Sequence, residues 1–225
     1  MWWTYTATTG GTTQVSIISA NDGSGPYPNG GIWVWETSAS TIAAVEASPV
    51  KANAYRANAT TFNATKGQTY KVRIGTTYNE VANFRVRVET GPGNDNVSDA
   101  VSINALSSGQ SYTSPDWTNA LAGKEAGEND DLSSRGLWWA YTATTTGSVR
   151  VSVIADSTGA TLPRPSTYAW DSTATTASQV QTGTRYGDWG TSVITFPVTA
   201  GKTYKIRVGN VYGDLGKFRL KLDAL

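Results

Sequence analysis

Gly67-Gln68-Thr69-Tyr70-Lys71-Val72-Arg73-Ile74-Gly75 returns later in the chain as Gly201-Lys202-Thr203-Tyr204-Lys205-Ile206-Arg207-Val208-Gly209. Working outward, Trp2-Trp3-Thr4-Tyr5-Thr6-Ala7-Thr8-Thr9 returns as Trp138-Trp139-Ala140-Tyr141-Thr142-Ala143-Thr144-Thr145, and Val15-Ser16-Ile17-Ile18 as Val151-Ser152-Val153-Ile154. Phe84-Arg85-Val86-Arg87-Val88 likewise returns as Phe218-Arg219-Leu220-Lys221-Leu222. The offset holds at about 135 residues, a whole-domain period rather than that of a solenoid. Two domains follow, residues 1–90 and 94–225, joined by the breaker-rich linker Gly91-Pro92-Gly93. Roughly forty residues, Asn94 to Gly136, precede the second copy's Trp-Trp strand and have no counterpart in the first. The first copy is therefore expected to lack its N-terminal strands.

Within each copy the hydrophobic period is 2. Tyr70, Val72 and Ile74 alternate with Lys71 and Arg73, and Phe84, Val86 and Val88 with Arg85 and Arg87, as in strands with one buried face. Gly, Asn, Ser and Pro clusters, as at 21–31 and 182–190, separate these runs. Helical periodicity is confined to Ile42-Ala43-Ala44-Val45 and the stretch 120–127. The expected class is all-β: two tandem antiparallel β-sandwich domains, jelly-roll-like.

Composition narrows the chemistry. A chain of 225 residues with 39% hydrophobic and 16% charged residues is long enough for buried cores and too apolar for disorder. Eighteen basic against seventeen acidic residues give a formal charge of +1, which offers nucleic acid no electrostatic footprint. With neither His nor Cys, Ser-His-Asp and Cys-His nucleophiles, thiolate or imidazole zinc sites and disulfides are excluded. Carboxylate pairs and oxygen-ligated calcium remain. No apolar run suits membrane insertion, and Met1-Trp2-Trp3-Thr4-Tyr5 shows no signal peptide.

The order Asn94-Asp95-Asn96 with Asp99-Ala100, then Glu125-Ala126-Gly127-Glu128, then Leu137-Trp138-Trp139-Ala140-Tyr141-Thr142-Ala143, then the stretch 200–208, resembles the bacterial pre-peptidase C-terminal domain. The resemblance spans the second copy and the later two thirds of the first. It implies a jelly-roll-like sandwich and a modular, non-catalytic role, either appended to a secreted enzyme or, as in minor tail proteins of phages infecting actinobacteria, on a virion. It names no ligand.

Four sets of residues are candidates for function. Glu125, Glu128, Asp130 and Asp131 put four carboxylates in seven residues, and with Asp95 they could hold calcium, though the spacing is not that of an EF-hand; a solvated turn is the simpler reading. Trp33 and Trp35 share one strand face, as do Tyr168 and Trp170 in the second copy, and such rings either stack on sugars or pack the sandwich. Trp117, Tyr186 and Trp189 lie in loop-like sequence and are the better expectation for exposure. Lys71, Arg73, Arg85 and Arg87 are expected on the outer face of adjacent strands, with Lys205, Arg207, Arg219 and Lys221 repeating that basic face; it is either a contact for an anionic polymer or a solvated sheet that discourages edge pairing.

The function expected is non-catalytic: a structural or adhesive module, foremost a phage virion component that contacts the host surface. The alternative is a carbohydrate- or collagen-binding accessory module of a secreted bacterial protein. A glycan-processing enzyme would have to draw on Glu125, Glu128, Asp188 or Asp214, which nothing in the sequence pairs. No cofactor is required, calcium being the candidate ion. Expected partners are other virion or extracellular chains and a cell-surface glycan; for the first copy, either Met1 is not the natural beginning or one such chain donates the missing strands.

Overall fold

The computed structural model describes residues 1–20, 30–76, 83–129 and 135–225. Asp130 and Asp131, and most of the loop expected over 21–31, lie outside them. Strands make up 50% of the chain and helices 7%, so the fold is all-β. The chain divides into two compact units, Met1–Gly91 and Pro92–Leu225.

In the first unit the strands are β1 (Trp2–Thr6), β2 (Gly11–Ser19), β3 (Gly30–Glu36), β4 (Val50–Tyr55), β5 (Ala59–Ala64), β6 (Thr69–Thr76) and β7 (Phe84–Thr90), with one short helix, α1 (Ile42–Glu46), between β3 and β4. They form two antiparallel sheets, β1-β6-β3-β4 and β5-β2-β7. Alternation explains the packing. Ile32, Val34, Tyr70, Val72 and Ile74 from the first sheet meet Val15, Ile17, Phe62 and Ala64 from the second in one buried cluster, as in a sandwich. Tyr70 buries its ring here while its hydroxyl accepts the Thr65 backbone N–H at 2.8 Å, so the polar tip is satisfied.

In the second unit the strands are β8 (Val101–Ile103), β9 (Ser111–Thr113), β10 (Trp117–Thr118), β11 (Leu137–Thr142), β12 (Gly147–Ile154), β13 (Pro165–Asp171), β14 (Arg185–Asp188), β15 (Val193–Val198), β16 (Thr203–Asn210) and β17 (Lys217–Ala224), with a short helix, α2 (Ala177–Val180), after β13. One sheet runs β14-β13-β16-β11-β8; the other runs β10-β17-β12-β15, with β9 also on β17. Trp139, Tyr141, Ile206 and Val208 meet Val149, Val151, Leu220 and Leu222 between them. Tyr204 repeats the Tyr70 arrangement, accepting the Thr199 N–H at 2.9 Å.

The units share their register. Trp2 faces Arg73 and Tyr5 faces Tyr70 across β1 and β6; Trp138 faces Arg207 and Tyr141 faces Tyr204 across β11 and β16. Trp33 lies opposite Arg73 as Tyr168 lies opposite Arg207. Among the described residues, the first unit has no counterpart of β8, β9 or β10.

Three details depart from the sequence reading. β8 pairs with β11 in parallel, not antiparallel. Residues 182–190, read as a separator, contain β14. The weak helical signal at 42–45 is a real helix, whereas 120–127 forms turns.

Candidate functional site

In each unit one sheet, β1-β6-β3-β4 in the first and β14-β13-β16-β11-β8 in the second, carries aromatic rings around one arginine on the face that points away from the sandwich core. In the second unit Trp138, Tyr168 and Trp170 stack at centroid separations of 5.6 and 5.7 Å, and Val97 and Val180 complete a second buried cluster. Arg207 lies over the Trp138 ring at 5.8 Å and is fully buried. Its Nε donates to Glu128 Oε1 and its second terminal nitrogen to Glu128 Oε2, both at 3.1 Å, while Trp138 Nε1 donates to Glu128 Oε1 at 3.3 Å. A Cβ on Gly136 would sit 2.2 Å from Arg207 Nε, so only glycine lets the guanidinium lie there.

The acidic segment is thus built into the fold. Asp95 accepts the Gly123 N–H, Glu125 accepts the Val97 N–H at 2.8 Å, and Glu128 is held by Arg207. Burial pushes the Glu125 carboxyl up despite that hydrogen bond. Among the described residues no three carboxylates converge on one point.

The expected basic face does not form. Period-2 alternation places these side chains away from the core but does not tell which sheet a strand joins, and β6 and β7 belong to opposite sheets, as do β16 and β17. Lys71 and Arg73 therefore lie apart from Arg85 and Arg87. In the second unit Arg207 is buried against Glu128 and Trp138, and Lys205 is 8% exposed with its ammonium pKa pushed down by burial. Arg219 donates to the Ala155 carbonyl and Lys221 pairs with Asp223 at 2.7 Å.

The aromatic candidates separate in the same way. Trp35, Tyr168 and Trp170 are buried and Trp33 is half-buried. Trp117 packs edge-on against Trp139 at 5.9 Å, and Tyr186 stacks on Phe196 at 5.1 Å, so both serve the core rather than the surface.

Trp189 is exposed, at 51%, on the turn after β14. It meets Tyr212, which is 74% exposed, edge-on at 5.6 Å. Arg164 lies over the Tyr212 ring at 4.9 Å and donates through Nε to Asp214 at 2.9 Å. Leu215 is also exposed beside this group in sequence. Tyr212 and Arg164 both hold positive φ, 63° and 44°. That conformation costs a non-glycine residue about 1–2 kcal/mol, and local strain of this kind concentrates at ligand-contacting surfaces. No protein-family model matches the chain, and no curated protein is significantly similar to it.

The platform Trp189-Tyr212-Arg164-Asp214 combines two exposed rings with a fixed cation and carboxylate, groups that can stack on a sugar face and hydrogen-bond its hydroxyls. Sequence reasoning found Trp189 but missed Tyr212 and Arg164. The run Asn210-Val211-Tyr212-Gly213, an aromatic next to a glycine and two residues after an asparagine, is the signal available.

Proposed function

We propose that this chain is a non-catalytic adhesive and structural protein made of two jelly-roll-like β-sandwich modules of the pre-peptidase C-terminal type, and that it contacts a surface glycan through Trp189, Tyr212, Arg164 and Asp214. The observation that carries this reading is the exposed aromatic pair on the second unit, Trp189 against Tyr212, with Tyr212 held at positive φ. The carboxylates that an enzyme would need are otherwise engaged: Glu128 with Arg207, Asp214 with Arg164, and Asp188 with the Trp189 N–H at 2.7 Å. The virion setting rests on the resemblance to repeats of phage tail proteins.

A glycan array probed with the chain and with Trp189→Ala tests the adhesive part. The reading expects a defined set of glycans to be retained by the parent and lost by the variant, with no hydrolysis. Binding unchanged by Trp189→Ala, no binding at all, or turnover of any glycan would overturn it. Detection of the chain by mass spectrometry in purified virions separates the virion setting from a secreted accessory module.

A further inference from the structure

On β14, alternation sends Tyr186 inward, where it stacks on Phe196, and Arg185 outward, opposite Trp170 of β13. Gln181, the residue that caps the C-terminus of α2, comes to the same place. A pocket of about 140 Å³ opens there, lined by Asn129, Trp170, Gln181 and Arg185.

The polar wall of this pocket is made of donors. Gln181 Oε1 accepts the Asn129 backbone N–H at 2.9 Å, which fixes the amide and leaves Nε2 to donate. That nitrogen is shielded from solvent and, among the described residues, has no acceptor. A buried amide N–H without an acceptor is costly, and an incoming oxygen removes the cost. Arg185 supplies the charge. Its side chain is exposed, its guanidinium lies over the Tyr168 ring at 5.7 Å, and among the described residues it has no carboxylate partner. The neighbouring carboxylates are engaged: Glu128 with Arg207, Asp171 with Lys202, and Asp188 with the Trp189 N–H.

The first unit differs at this point. Counted from the helix caps Thr41 and Thr176, the residue matching Gln181 is Glu46, a carboxylate that pairs with Arg73. The second unit carries the same helix end with that negative charge replaced by an amide. Arg185 and Trp189 stand at the two ends of β14, about 13 Å of extended chain apart, a span that a short saccharide bridges.

We infer that this pocket receives the carboxylate of a uronic acid, so that the glycan contacted by the Trp189–Tyr212 platform is an acidic one. The saccharide part rests on the glycan reading above; the charge rests on the pocket alone. Arg185 meets the carboxylate at the mouth, and Gln181 Nε2 donates to one of its oxygens. The volume is below the roughly 300–1,000 Å³ of pockets that enclose whole small molecules, so the carboxylate enters and the sugar ring stays outside.

The test has two arms. In the first, the ¹⁵N-labelled full chain is titrated with sodium glucuronate, with glucose and with sodium chloride at equal ionic strength. Only glucuronate should shift the Gln181 side-chain amide signals saturably. Arg185→Gln should weaken that binding about tenfold, the loss of one charge-assisted contact. Gln181→Glu keeps the acceptor for Asn129, replaces the donor with a like charge and should abolish binding. In the second arm, calorimetry compares a uronic-acid tetrasaccharide with the same tetrasaccharide after reduction of its carboxyl groups to alcohols. Trp189→Ala should weaken both, and Gln181→Glu only the acid. No shift at Gln181, the same shift with glucose or sodium chloride, or binding indifferent to both pocket variants would overturn the inference. So would glucuronate binding that emerges only after Asp130→Asn with Asp131→Asn, since the pocket would then belong to this chain's own carboxylates. Equal binding of the two tetrasaccharides, lost in Trp189→Ala, would overturn the acidic pocket and leave the platform standing. Glucuronate bound at Gln181 with both tetrasaccharides indifferent to Trp189→Ala would support the pocket and overturn the platform.

Discussion

Replacing Glu128 by Ala leaves Arg207 charged, with none of its guanidinium accessible to solvent and two hydrogen bonds of 3.1 Å removed. Trp138 Nε1 loses its acceptor as well. At the effective dielectric that suits such sites, a contact pair of unit charges is worth about 4 kcal/mol, and breaking a buried pair by removing one partner costs about 3–5 kcal/mol. The second unit should therefore lose about 3–5 kcal/mol, which for a domain of this size lowers its Tm by on the order of 10–20 °C. The matching substitution in the first unit, Glu46→Ala, breaks an ion pair whose partners are 44–46% exposed and should cost less than about 1 kcal/mol. Calorimetry on the two variants reads both, because each should move a different transition. Replacing the pair together, Arg207→Met with Glu128→Leu, should restore most of the loss, since apolar side chains of similar volume need no desolvated charge. A loss below about 1 kcal/mol for Glu128→Ala would mean that water reaches Arg207 and that the segment 94–129 does not seal the sheet.

Three further outcomes follow from single contacts. Trp189→Ala and Tyr212→Gly should weaken glycan binding at least about tenfold while leaving Tm within a few degrees, Tyr212→Gly raising it through relief of a positive φ; binding by isothermal calorimetry and Tm by scanning fluorimetry check this. Lys221, then Ser111 and Arg150, hold the Asp223 carboxyl well below the usual carboxylate range, so its contribution is present above about pH 4, the unfolded value, and is lost as pH falls further; Asp223→Asn should flatten the acid limb of a stability-pH curve, and an unchanged limb would remove Asp223 from the account. Calcium at millimolar concentration should leave Tm unshifted, because Asp95, Glu125 and Glu128 already bond Gly123, Val97 and Arg207; a rise of several degrees would assign a site completed by residues such as Asp130.

The strand pattern was legible because the same residues occur twice. Tyr70-Lys71-Val72-Arg73-Ile74 and its counterpart Tyr204-Lys205-Ile206-Arg207-Val208 read alike and fold alike, as β6 and β16. What differs between them is long-range. Alternation says correctly that Arg207 points away from the sandwich core, but it cannot say that a segment some 80 residues earlier returns to bury it, so an outward position carries no information on exposure. β8, β9 and β10 span three, three and two residues, too short to show a period, and α2 is a single turn. The division of strands between sheets was equally hidden: β6 and β7 belong to opposite sheets, which splits the anticipated basic face. Tyr212 escaped notice because its exposure arises from a left-handed backbone at a turn, a feature composition does not carry.

The central structural claim is that, among the described residues, no strand pairs with the outer edge of β1, whereas β8 closes that edge of β11 in the second unit. Met1 and Ile74 bond each other's backbone in both directions, at 2.8 and 3.0 Å, so Trp3 and Tyr5 repeat that pairing and alternation turns the Thr4 N–H, three residues beyond Met1, away from β6. Its counterpart Ala140 lies in β11 between β16 and β8. Amide hydrogen exchange on the full chain compares them directly. Thr4 should exchange as an exposed edge amide, roughly a hundredfold or more faster than Ala140. Equal protection of the two would show that the β1 edge is already covered and would contradict the account.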